Sequence, residues 1–234
     1  MKDRADLIQE AKKNASLEAV KHVKDNFVVG LGSGTTVAFA IEALGKRVKE
    51  EELKIVGIPS SYQAFQLAIQ HDIEVTTLDE HPVIDLTIDG ADQVTPELYL
   101  IKGMGAALLR EKIVAAASKF NVIIVDESKR VKVLGENGQV VPIEVLPFAL
   151  AFVKNRITVL GGEVNVREGK GKLGPIVTDN GNFIIDANFG LVSNPQDLAV
   201  KVKNIPGVVE TGFFVGLTDL VYIATENKVE KLQK

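Results

Sequence analysis

Val83-Ile84-Asp85-Leu86-Thr87-Ile88-Asp89-Gly90-Ala91-Asp92 is the stretch from which the rest of the chain can be read. An apolar strand breaks at Asp89 and Asp92. After a short excursion come Leu100-Ile101-Lys102-Gly103-Met104-Gly105 and a helix from Ala106 to Ala117. Two carboxylates thus stand where a strand ends, and a lysine stands among glycines where a helix begins. In an open α/β sheet, ligands bind just beyond the carboxyl ends of the strands. Helix N-termini, with free N–H groups and partial positive charge, attract anions. The segment from Pro82 to Lys119 therefore places acid/base groups beside a site suited to a charged small molecule.

The helix adds a second indication. At 3.6 residues per turn, Leu109, Ile113, Ala116 and Phe120 form an apolar stripe. Glu111 lies off that stripe, yet the opposite face carries Val114, Ala115 and Ser118, which is hardly a solvated surface. A helix apolar nearly all round is usually buried. Glu111 is expected to face a crevice, an exposed glutamate between Arg110 and Lys112 being the alternative.

Outward from this stretch, the chain is the right size for one or two domains. Its 234 residues, 46% of them hydrophobic, can bury a substantial core. The net charge of -4 argues against a nucleic-acid surface, so an anionic ligand must be met by local positive charge. The absence of cysteine excludes disulfides, thiolate nucleophiles and thiolate metal sites. His22, His71 and His81 lack metal-ligand spacing, so no metal is expected; no cofactor is expected either. Met1-Lys2-Asp3-Arg4-Ala5-Asp6 is too charged for a signal peptide, and no apolar run reaches membrane-spanning length. These features fit a soluble cytoplasmic protein with no membrane partner.

Toward the N-terminus, an amphipathic helix from about Asp6 to Lys24 precedes the strand Phe27-Val28-Val29-Gly30-Leu31. That strand enters Gly32-Ser33-Gly34-Thr35-Thr36 and a helix to about Arg47. Strand, glycine turn and helix make a geometry in which backbone N–H groups cradle phosphate. Thr35 stands where the dinucleotide fingerprint needs its last glycine, and no Gly-Lys-Ser/Thr follows. The hydroxyls of Ser33, Thr35 and Thr36 suit a phosphate monoester; a merely tight strand–helix turn would look the same. Strands at 54–58, 73–76 and 121–125, with a helix at 60–71, complete an alternation that implies a mostly parallel sheet covered on both faces. Asp126-Glu127-Ser128-Lys129 closes the last of these strands.

Past about Val131 the rhythm changes. Strands are expected at 140–145 and 163–166, and helices at 147–155 and 195–203. Ile176-Val177-Thr178 and Phe183-Ile184-Ile185 flank Asn180-Gly181, a hairpin signal, and a strand near Val208 follows. This order reads as a small α+β domain of ferredoxin-like type. Asp219 to Ala224 is expected to return to the first sheet. The fold class is thus α/β: a mostly parallel Rossmann-like sheet over 1–130 and 216–234, plus a ferredoxin-like α+β domain over 131–215. Gly169-Lys170-Gly171-Lys172 reads as a solvated loop tip.

Asp89-Gly90-Ala91-Asp92, Lys102 to Lys112 and Gly32-Ser33-Gly34-Thr35-Thr36 together resemble the type A ribose-5-phosphate isomerases. The resemblance continues in order through Asp126 to Lys129, Pro142 to Val145, Thr178 to Asn182 and Ile205 to Glu210. It implies an aldose–ketose isomerase of the pentose phosphate pathway's non-oxidative branch, acting on a sugar phosphate through a cis-enediolate and assembled as a homodimer or homotetramer. It makes Glu111 the base, Lys102 the stabiliser of the oxyanion, and Asp89 and Asp92 the groups that handle hydroxyls and ring opening. Ser33, Gly34, Thr35, Thr36 and Lys129 would hold the phosphate, with Lys12 as another contact. Gly90, Ala91, Gly103, Met104 and Gly105 would complete the substrate-binding backbone. Met104 departs from the family's usual glycine, so its backbone should be ordinary, with Gly103 and Gly105 doing the turning. Two rivals stay open: a sugar-phosphate sensor without turnover, and another sugar-phosphate isomerase or amino-sugar deaminase of related fold.

Overall fold

The computed structural model describes residues 4–169, 171 and 173–233. Lys170 and Lys172 of the expected loop tip lie outside the described residues. The chain divides into two compact units, residues 1–91, 110–130 and 216–234, and residues 92–109 and 131–215.

The first unit is built on a sheet of seven strands. They are β1 (Phe27–Leu31), β2 (Ile55–Pro59), β3 (Glu74–Val75), β4 (Leu86–Asp89), β7 (Asn121–Asp126), β13 (Leu220–Ala224) and β14 (Val229–Gln233). The spatial order is β14-β13-β7-β4-β1-β2-β3, parallel throughout apart from β14. Every residue of β4, β7 and β13 is buried, which explains their near-continuous apolar sequences. The side-chain period of two assigns Val29, Leu31, Leu86, Ile88, Val122 and Ile124 to one face. There they join a core with α1 (Arg4–Val20), α2 (Thr35–Glu50) and α3 (Tyr62–Gln70). On the other face, Ile58 and Ile84 pack with Val114 of α4 (Leu108–Ala116). Gly30 makes room for that helix, since a Cβ there would lie 2.7 Å from Val114.

The second unit holds two small sheets. One is β5 (Gln93–Val94), β6 (Leu100–Ile101) and β12 (Phe213–Phe214), in the order β12-β6-β5. The other comprises β8 (Val141–Val145), β9 (Glu163–Val166), β10 (Phe183–Asn188) and β11 (Val208–Thr211), in the antiparallel order β11-β8-β10-β9. With α5 (Leu150–Val159) after β8 and α6 (Pro195–Lys203) after β10, this is the split βαβ arrangement. Residues 92–109 cluster with this unit, whereas the sequence reading grouped them with the first. The reason is pairing: β5 and β6 are bonded to each other and β6 to β12.

The expected hairpin between residues 176–178 and 183–185 does not form. Residues 176–178 form no strand, and β10 pairs with β9 and β8 instead. Asn180-Gly181 still turns the chain, with φ of +80° at Gly181, but it closes a loop onto Glu144. The fully buried Glu144 accepts hydrogen bonds at Oε1 from Thr178 (2.8 Å), Asn180 (3.1 Å) and Asn182 (2.8 Å). Three charge-assisted hydrogen bonds thus converge on one buried carboxylate oxygen and hold the loop in place of a strand pairing.

Candidate active site

In the first unit, the chain runs from β1 through β2 to β3 in one direction, then returns to place β4 on β1's other side. The order reverses between β1 and β4, and that switch point is where open α/β sheets bind ligands. Gly32 to Thr36 leave the end of β1, and Asp89-Gly90-Ala91 end β4. Lys129 lies in the 3-10 turn Glu127–Lys129 directly after β7, the next strand along.

The turn after β1 is shaped by two glycines. A Cβ on Gly32 would meet Asp89 Oδ1 at 2.2 Å, so only glycine lets the turn approach that carboxylate. Asp89, itself buried, accepts at Oδ1 from the N–H groups of Ser33 (3.2 Å) and Gly90 (2.7 Å). Gly34 is the N-cap of α2 at φ 103°, ψ 178°, a backbone region essentially reserved for glycine. The N-terminus of this 16-residue helix thus opens onto the loop with no side-chain cap. Lys12 Nζ donates to Thr35 Oγ1 at 2.9 Å, bringing a cation to the same turn.

Three residues not anticipated from sequence fasten this loop. Ser33 Oγ lies 2.9 Å from Ser60 Oγ and donates to Ser61 Oγ at 2.6 Å, while Gly34 N–H donates to Gln63 Oε1 at 2.9 Å. Ser60 and Ser61 follow β2, the strand beside β1, and Ser61 also caps α3. The available signal was a serine pair directly after a strand, at the same sheet edge as Gly32 and Asp89.

Glu111 is buried, only 5% exposed, but for a different reason than the apolar stripe suggested. Ile113 is 46% exposed and Ala116 is exposed as well. The buried face of α4 is instead Leu108, Glu111, Val114 and Ala115, at helical spacing, so Glu111 belongs to the inward stripe. The Arg110 guanidinium lies 5.4 Å from the centre of the Tyr62 ring. Carboxylates are seldom fully buried without a structural or chemical task.

In the second unit, Lys102 is 3% exposed, follows β6 and donates its N–H to Gly212 O at 2.9 Å. Its Nζ lies 5.3 Å from the centre of the Phe214 ring, a cation–π distance. Gly103 turns the chain at φ +105°. Met104, 47% exposed, has no positive φ, as the sequence required of a methionine there. Gly105 does not share the turning: the second left-handed residue is Ala106, at φ 61°. Asp92 Oδ2 accepts from Met104 N–H at 3.0 Å, tying the second aspartate to the Lys102–Gly105 loop. Each unit thus carries part of the expected set. Asp89, Gly90, Ala91, Glu111, Lys129, Lys12 and Ser33 to Thr36 are in the first, and Asp92 and Lys102 to Gly105 in the second.

Among the described residues, no cluster of three or more His, Cys, Asp or Glu could hold a metal, and no helix is long and apolar enough to cross a membrane.

The chain is similar to known proteins over nearly its whole length. Residues 56–228 match the family described as ribose 5-phosphate isomerase A (phosphoriboisomerase A). Ribose-5-phosphate isomerase A of Methanothermobacter thermautotrophicus is 48% identical over 222 residues, 95% of this chain and 97% of that one. Its counterpart in Pyrococcus horikoshii is 44% identical, covering 97% and 99%. Among solved structures, a D-ribose-5-phosphate isomerase in complex with phospho-erythronic acid superposes with a TM-score of 0.94 at 44% identity, covering 97% of this chain and 99% of that one. Ribose 5-phosphate isomerase A of Methanocaldococcus jannaschii gives 0.91 at 45%, covering 95% and 98%. With the switch-point loop, the buried glutamate and the lysine–glycine turn in place, the chain belongs to the ribose 5-phosphate isomerase A family.

Proposed function

We propose that this protein interconverts D-ribose 5-phosphate and D-ribulose 5-phosphate through a cis-enediolate. The observation that carries the reading is the similarity to ribose-5-phosphate isomerases A over 95% of the chain, at 48% identity. The side chains present supply the chemistry. Glu111 takes the proton from C2 and returns it to C1, a task for a single carboxylate shielded from water. Lys102 stabilises the negative charge that develops on oxygen. Asp89 and Asp92 move the remaining proton between the O1 and O2 hydroxyls and assist opening of the ring.

The phosphate falls to the turn after β1, whose N–H groups, hydroxyls and helix terminus are suited to an anion, aided by Lys129 and Lys12. Phospho-erythronic acid, the ligand named for one solved relative, fits this reading. It joins a phosphate to a planar carboxylate shaped like the reacting end of an enediolate. No step requires a metal, because carboxylates and an ammonium carry the charges and protons. The reading extends to a cytoplasmic homodimer or homotetramer, which light scattering on the purified protein distinguishes.

The test is conversion of ribose 5-phosphate by the purified protein after exhaustive chelation. Ribulose 5-phosphate should form at an undiminished rate. Loss of activity restored only by a divalent ion would overturn the metal-free chemistry. Absence of conversion under any condition would favour a sugar-phosphate sensor.

A further inference from the structure

Arg167 directly follows β9 and carries no motif, yet its contacts converge on the Lys102–Gly105 loop. Its Nε donates to Asp186 Oδ2 at 2.8 Å and its Nη2 pairs with Asp186 Oδ1. Nη1 donates to two successive carbonyls, Gly103 O and Met104 O, both at 2.9 Å, and Nη2 also lies 3.7 Å from Met104 Sδ. All five guanidinium hydrogens thus have acceptors, all within the second unit. The pair is mostly buried, with side-chain exposures of 12% for Arg167 and 17% for Asp186. It is rooted in the sheet, since Asp186 lies on β10 and the Arg167 N–H donates to Ile184 O at 2.9 Å.

A trans peptide points its C=O and N–H in opposite directions. With the Gly103 carbonyl held by Arg167, the N–H of the same peptide is aimed at Asp92, whose Oδ2 it meets at 3.0 Å. Asp186, Arg167, the 103–104 peptide and Asp92 form one chain of hydrogen bonds. The clamp also fixes a turn with φ of +105° at Gly103, where a Cβ would meet Leu108 at 2.9 Å and Pro142 at 3.1 Å.

We propose that Arg167, braced by Asp186, is a positioning residue that sets the Asp92 carboxylate through the Gly103–Met104 peptide. The proposal deepens the reading of Asp92 given above and rests on it for its effect on turnover. Lysine cannot replace the guanidinium, because a single ammonium cannot keep a bidentate carboxylate and bridge two carbonyls at once.

The test uses Arg167→Lys, which retains a positive charge for Asp186, and Arg167→Met as a second variant. Two readouts are taken, with melting temperature as control. Exchange of the Met104 amide, followed by NMR, reports the clamp whether or not ribose 5-phosphate is the substrate. It should quicken about tenfold or more in Arg167→Lys at a nearly unchanged melting temperature. Turnover of ribose 5-phosphate should fall about tenfold in kcat with little change in KM. In an Asp92→Asn background the same substitution should cost less than about threefold, because residues that act as a unit are non-additive. Unchanged Met104 exchange would overturn the clamp. Faster exchange with a full multiplicative loss in the Asp92→Asn background would overturn the route through Asp92. A wild-type protein that does not isomerise ribose 5-phosphate would refute the proposed function, while the amide readout would still decide the clamp.

Discussion

Replacing Gly34 by alanine separates the conformational demand of the turn proposed to hold the phosphate from its steric demand. At φ 103°, ψ 178°, Gly34 occupies backbone space that residues with a Cβ avoid, yet a Cβ built there meets nothing within 4 Å. The whole effect of Gly34→Ala is therefore torsional, about 1–3 kcal/mol. If the variant keeps the turn, the cost appears as stability, lowering the melting temperature of a chain this size by about 2–12 °C. If it relaxes the turn, the cost appears in phosphate binding, raising KM by about 5- to 140-fold. A division between the two is expected, and thermal melts with steady-state kinetics on ribose 5-phosphate measure both. Gly105→Ala is the stability control, since Gly105 has no positive φ and equally open surroundings. It should melt within about 2 °C of the wild type, corresponding to about 0.5 kcal/mol. A Gly34→Ala protein of wild-type stability and KM, or a Gly105→Ala protein that melts more than about 2 °C below the wild type, would refute the reasoning.

Lys102→Ala should lower kcat about a hundredfold or more while moving KM less, since the ammonium acts on charge that develops in the transition state; a near-normal kcat would assign Lys102 to binding or structure. Lys129→Ala and Thr36→Ala should mainly raise KM, because phosphate contacts serve ground and transition states alike; wild-type KM in both would place the phosphate elsewhere. His22, whose Nε2 lies 2.8 Å from Tyr222 Oη, has its pKa lowered, first by burial and then by Lys231. A lowered folded pKa means the unfolded chain takes up the proton first, so the stabilisation is complete above the ordinary value of 6.5 and is lost as pH falls below it. Melting temperature should accordingly drop more steeply from pH 7.5 to 5 in the wild type than in His22→Gln, and parallel profiles would contradict this.

What could be read in the sequence follows from how strongly each segment is constrained. The strands β1, β2, β4, β7 and β13 are buried at the centre of one sheet, so their apolar runs are long and their positions evident. By contrast, β14 is an edge strand, Val229-Glu230-Lys231-Leu232-Gln233, half exposed and charged as edges often are. The strands β5, β6 and β12 have two residues each, too few to establish a period, so the allegiance of residues 92–109 was invisible. A stripe drawn through apolar residues alone misplaces the buried face of α4. The buried face includes Glu111, a polar residue that hydrophobic patterning cannot place. At the site, glycine turns and strand-end carboxylates were legible because their chemistry is local. Gln63, Arg167 and Asp186 were not, since each acts through contacts distant in sequence: 29 residues for Gln63 to Gly34, and 64 for Arg167 to Gly103.

The central claim is that Glu111 carries the proton between C2 and C1 of a ribose phosphate, and one measurement addresses it directly. Wild type and Glu111→Gln are given unlabelled ribose 5-phosphate in deuterium oxide, and the ribulose 5-phosphate formed is examined by NMR for rate of appearance and for deuterium at C1. The wild type should place solvent deuterium at C1 in a fraction of turnovers, as the abstracted proton exchanges on the carboxylate before its return. Glu111→Gln should form product about a hundred- to ten-thousandfold more slowly. Product appearing at the wild-type rate from Glu111→Gln, or a wild-type product that never acquires deuterium at C1, would contradict the account; the latter would point to hydride transfer between the carbons.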